Sequence, residues 1–297
     1  MDTDVKQQVR EFYDQVGWQR VGADVYQNAH YEDLRPVARE YIHRCHLRLG
    51  RHLKAQGTYL LDAGSGPIQY PEYLTYSQGY RYRLCADISI VALQEARRRI
   101  EGHGLYVVCD IANLPFKPGV FEGVVSLHTI HHLPEDQHLQ AYEELYRVLA
   151  PHSAAAVVNG WPDSPLMDFF NPLVRWSNRL RTGRVGRLLS NQPVQADLPA
   201  EEALGAEKKA RRKRRAQEPK GTFTNRHDVA WVRREVGGRM PVEIRVWRSV
   251  SVRFLRALVH ARLGGRYSLR LLYWLEERFP HYLGENGQYP LLLLRKP

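Results

Sequence analysis

The 297-residue chain has the length and composition of a folded protein with one large domain, or one domain and a cap. Hydrophobic residues make up 43% of it and charged residues 25%, and no apolar run approaches the roughly 18 residues that a membrane-spanning helix needs. The N-terminus lacks a basic segment followed by an apolar one, so we expect a cytoplasmic protein and no secretory signal. The three cysteines have no CxxC spacing, which argues against a disulfide framework or a structural zinc site.

The net charge of +11 is concentrated in the second half of the chain. Residues 1–160 hold 16 basic and 19 acidic residues, whereas residues 161–297 hold 27 basic and 13 acidic ones. The second half should therefore attract an anionic partner, which can be a phosphorylated substrate, a membrane surface or nucleic acid.

Strands alternate with helices along most of the chain, after a helical segment at the start. The predicted strands are 58–63, 82–86, 105–109, 122–127, 154–159, 242–250 and 289–295. The predicted helices after the first segment include 90–100, 135–149, 226–236, 252–263 and 267–279. This order implies right-handed crossovers and a mostly parallel, doubly wound α/β sheet.

Four regions follow from this pattern. They are an N-terminal helical segment at 1–57, a core at 58–160, a basic insertion at 161–221, and the end of the core sheet at 222–297 with a helical insertion at 252–283. The basic insertion begins with an aromatic helix after Ser164 and Pro165, and it contains a dense basic run at 208–215. Such a run is typical of solvated charge, but it could also bind phosphate or lipid headgroups.

Glycines and acidic residues follow the first three predicted strands. Asp62 precedes Gly64 and Gly66, in a loop where the backbone turns sharply and a ligand can approach it. Asp87 ends the second strand, where a carboxylate can accept both hydroxyls of a ribose or can cap the next helix. Asp110 ends the third strand, where it can accept from an adenine amino group or cap a turn.

Together these motifs resemble the class I S-adenosylmethionine methyltransferases, and among them the ubiquinone/menaquinone and sterol methyltransferase branch. The similarity is close over residues 58–160, including the segment around His128 and the helix that ends before Pro151, and it is looser over 222–250 and 287–296. It implies a Rossmann-like sheet of seven strands with the last one antiparallel, and S-adenosylmethionine as the cofactor. A nicotinamide enzyme is less favoured, because Gln69 stands where the dinucleotide fingerprint needs a third glycine.

The resemblance implies a set of cofactor-binding residues. Asp62, Gly64 and Gly66 would surround the methionine moiety, Asp87 and Ile88 the ribose, and Asp110 and Ile111 the adenine. His128 would face the cofactor side of the site.

Three histidines follow the fourth strand, between the expected cofactor and acceptor sites. His131 or His132 could serve as a general base. The alternatives are that His128, His131 and His132 pack or cap the next helix, or that they bind zinc. We expect no metal.

The two insertions should emerge on the cofactor's side of the sheet and form one lid. Its aromatic lining would come from Phe169, Phe170, Trp176, Tyr273 and Trp274, and from Tyr13, Tyr26 or Tyr31 in the first segment. This lining favours a small-molecule acceptor with an apolar, lipid-like body and an O or C nucleophile. The basic insertion could lie on an anionic membrane, whereas nucleic acid is less favoured because no aromatic residues interleave with the basic run. An alternative is a catalytically weak methyltransferase-like scaffold that binds nucleic acid, membrane or a partner through its basic half.

Overall fold

The computed structural model describes residues 2–14, 32–100, 102–182 and 223–297. The predicted contacts of Tyr26 and Tyr31 and the basic run 208–215 lie outside these residues. The strands are β1 (Gly57–Ala63), β2 (Tyr80–Asp87), β3 (Gly104–Val108), β4 (Phe121–Leu127), β5 (Leu149–Val158), β6 (Val242–Arg248) and β7 (Tyr289–Arg295). The helices are α1 (Asp2–Phe12), α2 (Arg39–Arg48), α3 (Pro71–Leu74), α4 (Ile90–Arg99), α5 (His138–Val148), α6 (Pro165–Thr182), α7 (Val229–Trp231), α8 (Val252–Leu258), α9 (Gly265–Arg278) and α10 (Pro280–Asn286).

The described strands form one seven-stranded sheet in the order β3-β2-β1-β4-β5-β7-β6. Strands β1 to β5 pair in parallel, and β7 runs antiparallel between β5 and β6. The predicted fold class is therefore confirmed. The strand order reverses between β1 and β4, which is where ligands bind in open sheets of this kind.

Apolar side chains cover both faces of the sheet, since its central strands are buried on both sides. One cluster includes Leu61, Val124 and Leu292, and the other includes Leu60, Val125 and Leu293. Neighbouring residues of a strand therefore alternate between two cores, which explains the near-continuous apolar runs in the sequence.

A third apolar cluster lies among helices. Met167 of α6, Leu255 of α8, and Leu269 and Tyr273 of α9 pack with Tyr41 of α2. Ser164 caps α6 as expected, because its hydroxyl accepts from the Met167 amide at 3.3 Å. The two insertions thus pack together although they are distant in sequence. Within the described residues, no helix is long and apolar enough to cross a membrane.

Most element boundaries differ by a few residues from the sequence prediction, and the helix predicted at 252–263 ends at Leu258. Strand β5 begins at Leu149, because that residue pairs with Phe121 across a local shift of register. Helix α10 was missed because its aromatic start, Phe279–Pro280, reads as the end of the preceding helix. Proline is favourable there, since its missing N–H falls at the first helical position.

Candidate active site

The carboxyl ends of β1 to β4 meet at one edge of the sheet. The loops that follow them carry Gly64 and Gly66, Asp87, Asp110, and His128 respectively. The sheet thereby brings together residues that sequence analysis could place only at separate strand ends.

The loop after β1 requires glycine for its shape. Gly64 and Gly66 have φ angles of +73° and +55°, in the left-handed region that side chains disfavour. A Cβ on Gly64 would lie 2.1 Å from Cγ2 of Thr129. Thr129 also donates a hydrogen bond from Oγ1 to the Gly64 carbonyl at 3.2 Å. The loop is therefore packed tightly against the segment that follows β4.

Asp87 joins the first two loops of the edge. Its Oδ2 accepts from the Gly66 amide at 2.8 Å, and its Oδ1 accepts from the Ser89 amide at 2.9 Å. Burial raises the pKa of this carboxyl group to about 6, although the two amide hydrogen bonds oppose the shift. The alternative that Asp87 caps α4 is wrong, because Ser89 does so by accepting from the Ala92 amide at 3.1 Å. Ile88 is half-buried beside it.

Asp62 supports the edge from inside the core. Its Oδ2 accepts from Nη2 and, at 3.2 Å, from Nε of Arg83, and both side chains are buried. Arg83 also donates to the Tyr73 carbonyl at 2.6 Å. Sequence analysis missed Arg83, whose signal was a cation in an otherwise apolar strand. The predicted contact of Asp62 with the methionine stays a prediction, since this carboxylate is already engaged by a cation.

Residues 2–14, which include α1, lie across the ends of β2, β3 and β4. Lys6 pairs with the carboxylate of Asp110, and Ser89 donates a hydrogen bond to Asp14. Asp110 also accepts from the Ala112 amide at 2.9 Å, so it caps its own turn, and Ile111 is buried next to it. The expected closure of the active site by the N-terminal segment stays a prediction.

Tyr13 and His132 form a hydrogen-bonded pair above the end of β4. The Tyr13 hydroxyl lies 2.8 Å from Nε2 of His132, and Nδ1 of His132 lies 2.8 Å from the Phe223 carbonyl oxygen. Because a carbonyl can only accept, Nδ1 carries the proton, and Nε2 accepts from the Tyr13 hydroxyl. Burial lowers the pKa of His132 to about 4, so the imidazole is neutral near pH 7.

The ring of His131 is positioned by the side-chain amide of Asn159. Its Nδ1 lies 3.1 Å from Oδ1 of Asn159, whose Nδ2 donates to the Tyr142 hydroxyl at 3.2 Å. Burial, followed by the charges of His132 and His128, lowers the pKa of His131 well below its usual value. The rings of His131 and His132 are 4.1 Å apart, so protonation of one opposes protonation of the other.

His128 faces the β6–β7 side of the sheet. It has a φ of +56°, and its ring packs edge-on against Trp247 at 5.3 Å and against Tyr289 at 5.8 Å. Burial, and then the charge of Arg248, lower its pKa to about 3. Its predicted contact with the cofactor stays a prediction.

A buried charged cluster beside His128 was not foreseen. Glu32 pairs with Arg248, and Oε2 of Glu32 lies 3.6 Å from Nε2 of His46, whose ring stacks on Trp247. These side chains come from separate elements and have no shared sequence pattern, so no sequence signal could have joined them. They form the wall of the edge next to β6.

The aromatic residues expected to line a lid are differently placed. Phe169, Trp176 and Trp274 each expose more than half of their surface. Phe170 packs against Phe254 at 5.2 Å, and Tyr273 is buried in the helical cluster. The three exposed rings point away from the core, because other apolar residues of α6 and α9 fill the space between the helices. Their exposure gives no support to an acceptor-lining role.

The three histidines do not form a metal site with acidic or cysteine partners, and the described residues contain no group of three potential ligands.

Residues 61–157 match the family model described as a methyltransferase domain. Together with the sheet order and the glycine loop, this match decides the assignment. Residues 61–157 form a class I methyltransferase domain, and its cofactor is S-adenosylmethionine.

The methyltransferase domain has curated relatives of low identity. The chain is 27% identical over 169 residues to probable tRNA methyltransferase 9B from Bos taurus, a match that covers 55% of this chain and 35% of the relative. The match to the Mus musculus protein of the same name covers 41% of this chain and 26% of that relative. The chain therefore spans about a third or less of the length of these relatives.

Solved structures share the fold of the methyltransferase domain. Phosphoethanolamine N-methyltransferase 2 from Haemonchus contortus, in complex with S-adenosyl-L-methionine, has a TM-score of 0.52 at 14% identity, covering 97% of this chain and 60% of that one. Geranyl diphosphate C-methyltransferase from Streptomyces coelicolor has a TM-score of 0.51 at 14% identity, covering 99% of this chain and 98% of that one. At such identities the likeness shows the fold alone.

The chemistry of the strand ends fits an adenosyl cofactor. The carboxylate of Asp87 uses each oxygen for one amide hydrogen bond, and a carboxylate oxygen can accept a second. The carboxylate of Asp110 reaches the edge, where a lysine of α1 now pairs with it. Two acceptor groups at neighbouring strand ends suit the hydroxyl and amino donors of an adenosine.

Proposed function

We propose that the chain transfers a methyl group from S-adenosylmethionine to a small-molecule acceptor with an apolar body and an O or C nucleophile. The observation that carries this proposal is the hydrogen bond between Tyr13 and His132 at the carboxyl edge. When bound, the cofactor supplies a methyl group on a positively charged sulfur that an aligned nucleophile can attack. The protein has to align the acceptor, exclude water and take up a proton.

The Tyr13–His132 pair provides a path for that proton. As the acceptor passes its proton to the Tyr13 oxygen, Tyr13 passes its own to Nε2 of His132. The Phe223 carbonyl keeps Nδ1 protonated, so Nε2 stays in the accepting form. The low pKa of His132 makes the imidazolium short-lived, and the proton leaves to solvent after transfer. His131 has a positioning role, since its ring is held by Asn159 and lies against His132.

The residues proposed to hold the cofactor are those at the first three strand ends. The glycine loop of Gly64 and Gly66 would lie against the methionine, Asp87 with Ile88 at the ribose, and Asp110 with Ile111 at the adenine. Cofactor entry would require the adenine amino group to replace Lys6 at Asp110. Asp62 would act indirectly, by holding the start of the glycine loop.

The acceptor class is inferred from motifs and charge. The core motifs resemble those of the quinone and sterol methyltransferases, which favours an apolar acceptor. The fold neighbour from Streptomyces coelicolor is named for geranyl diphosphate, a molecule with an apolar body and an anionic group. The positive second half of this chain suits an acceptor of the same kind.

Transfer to tRNA is the second candidate. It is favoured by the similarity to probable tRNA methyltransferase 9B and by the same positive charge. A scaffold without turnover is the third outcome, in which the basic half binds a partner.

One labelling experiment separates these functions. The protein is incubated with methyl-labelled S-adenosylmethionine and one of three fractions of a cell extract: organic-soluble lipids, aqueous small molecules, or total tRNA. We expect label in the lipid fraction, incorporated on the order of a hundredfold more slowly when Tyr13→Phe replaces the wild type. Label in tRNA alone would replace the proposal with the second candidate, and label in no fraction would favour the scaffold.

A further inference from the structure

Two distant helices carry the same outward pattern. In α6, Phe169, Leu173 and Trp176 are 77%, 45% and 59% exposed. In α9, Tyr267, Leu271 and Trp274 are 75%, 58% and 58% exposed. Each set follows the spacing i, i+4, i+7 and therefore forms one stripe along its helix. Each stripe has an aromatic residue, a leucine and a tryptophan in that order.

The opposite faces of both helices are occupied by the core. Met167 and Val174 of α6 are buried, as are Leu269 and Tyr273 of α9. Met167, Leu269 and Tyr273 belong to one apolar cluster. The exposed stripes are thus not needed to hold the helices in place, and soluble proteins seldom leave such apolar stripes uncovered without a partner.

Arginines flank both stripes. Arg175 and Arg179 are exposed on α6, and Arg266, Arg270 and Arg278 are exposed on α9. The acidic residues of α9 do not offset this charge at the stripe. Glu276 is buried against Tyr41 and Arg48, and Glu277 pairs with Arg48 and Arg51. Two exposed acids lie on the neighbouring elements: Glu40 of α2 pairs with Arg270, and Asp168 of α6 accepts from the Asn171 amide group at 3.1 Å.

We propose that the stripes of α6 and α9 bind an anionic lipid surface. An amphipathic helix with Trp, Tyr, Phe and Leu on one side and arginines beside them lies in the headgroup region of a bilayer, with its apolar face buried. The arginines then meet anionic lipid phosphates. Binding to a lipid surface would give the protein access to a lipid-like acceptor, and this link alone rests on the proposed function.

The charge and shape of the stripes disfavour the other occupants. Pairing with a second copy would bring like-charged arginines together, which costs free energy at an interface. Single-stranded nucleic acid would stack its bases on aromatic rings, but Leu173 and Leu271 at the middle of the stripes have no ring to offer. A lipid surface accepts aliphatic and aromatic residues alike.

The test uses the full chain and vesicles without cofactor or acceptor. Sedimentation with phosphatidylcholine vesicles, with and without phosphatidylglycerol, measures the partition coefficient at low and high salt. We expect binding to the anionic vesicles, weakened by salt. The variant Trp176→Ser/Trp274→Ser should lower the coefficient roughly tenfold or more, because it removes the two indoles that the bilayer would bury. Arg266→Gln/Arg278→Gln should lower it severalfold.

Leu105→Ser/Val108→Ser is the matched control, since these exposed residues lie on β3 at the far edge of the sheet from β6. It should bind as the wild type does, and circular dichroism should show that all variants are folded. Unchanged vesicle binding in the tryptophan variant would overturn the proposal and assign binding to the basic run 208–215. Loss of self-association or of tRNA binding in that variant, without vesicle binding by the wild type, would overturn it in favour of those partners. Tyr13→Phe should still bind vesicles, so a failure of the proposed methyl transfer is told apart from a failure here.

Discussion

The hydroxyl of Tyr13 donates to Nε2 of His132 across 2.8 Å, which joins the N-terminal segment to the end of β4. The two residues are 119 positions apart, and the proton on Nδ1 of His132 is fixed by the Phe223 carbonyl. The pair therefore depends on three separate parts of the chain. Its position at the carboxyl edge makes it the centre of the proposed chemistry.

Removal of the Tyr13 hydroxyl should slow methyl transfer and leave cofactor binding nearly unchanged. We expect Tyr13→Phe to lower kcat on the order of a hundredfold, which is the usual contribution of a proton-transfer group. Rapid-quench measurement of label transfer gives the rate, and calorimetry gives the Kd of S-adenosylmethionine. Tyr282→Phe, at an exposed position of α10, is the matched control. An unaltered kcat in Tyr13→Phe would remove this pair from the mechanism.

Cofactor affinity should depend on the ionisation of Asp87. Burial raises the pKa of this carboxyl group to about 6, so its charged form gains population as the pH rises through that value. The affinity for S-adenosylmethionine should therefore increase between pH 5 and about pH 7, because a charged carboxylate accepts hydroxyl hydrogen bonds more strongly. Asp87→Asn should bind more weakly and lose this pH dependence, whereas Asp168→Asn, on the exposed side of α6, should behave as the wild type. A pH profile shared by Asp87→Asn and the wild type would contradict the assignment.

The pair of Asp62 and Arg83 should have a large effect on stability. Arg83→Met leaves a buried carboxylate without its cation, which we expect to lower the free energy of unfolding by about 3–5 kcal/mol. The double variant Asp62→Asn/Arg83→Met should recover much of this loss, since no charge is then left unpaired. Arg98→Met breaks an exposed pair with Glu95 and should cost less than about 1 kcal/mol. Urea unfolding measures all three, and equal losses in the single and double variants would mean that the charges are not coupled.

The histidines after β4 should make the protein less stable in acid. Burial lowers the pKa of His132 from 6.5 to about 4, so the unfolded chain binds its proton more readily than the folded one. The stabilisation is complete above about pH 6.5 and is lost as the pH falls toward 4. Asp87 acts with the opposite sign, because its raised pKa stabilises the folded state in acid and that effect is lost as the pH rises through about 6.

The comparison of His132→Asn with the wild type isolates the histidine effect. We expect the difference in unfolding free energy between the two proteins to shrink by on the order of a few kcal/mol from pH 7 to pH 4. His152→Asn, at an exposed position of β5, is the control and should leave that difference near zero. A difference that stays constant over this range would show that His132 is protonated equally in both states.

The sequence predicted the sheet and the strand ends because both have local signals. Apolar strands such as the one before Gly64 are continuous runs, and an acidic residue at a strand end is visible in a single segment. The pairing of Asp62 with Arg83 and of Tyr13 with His132 joins residues far apart in the chain, so no local pattern contains it. The outward position of Trp176 and Trp274 was also hidden, because an apolar periodicity does not tell which of two apolar faces meets the core.

Formation of S-adenosylhomocysteine by the intact chain tests the account most directly. The protein is mixed with S-adenosylmethionine and the organic-soluble fraction, and product is measured over time for the wild type and Tyr13→Phe. We predict product that depends on that fraction and forms on the order of a hundredfold more slowly in the variant. Binding of S-adenosylmethionine without any product, in the presence of lipid, aqueous and tRNA fractions alike, would contradict the account.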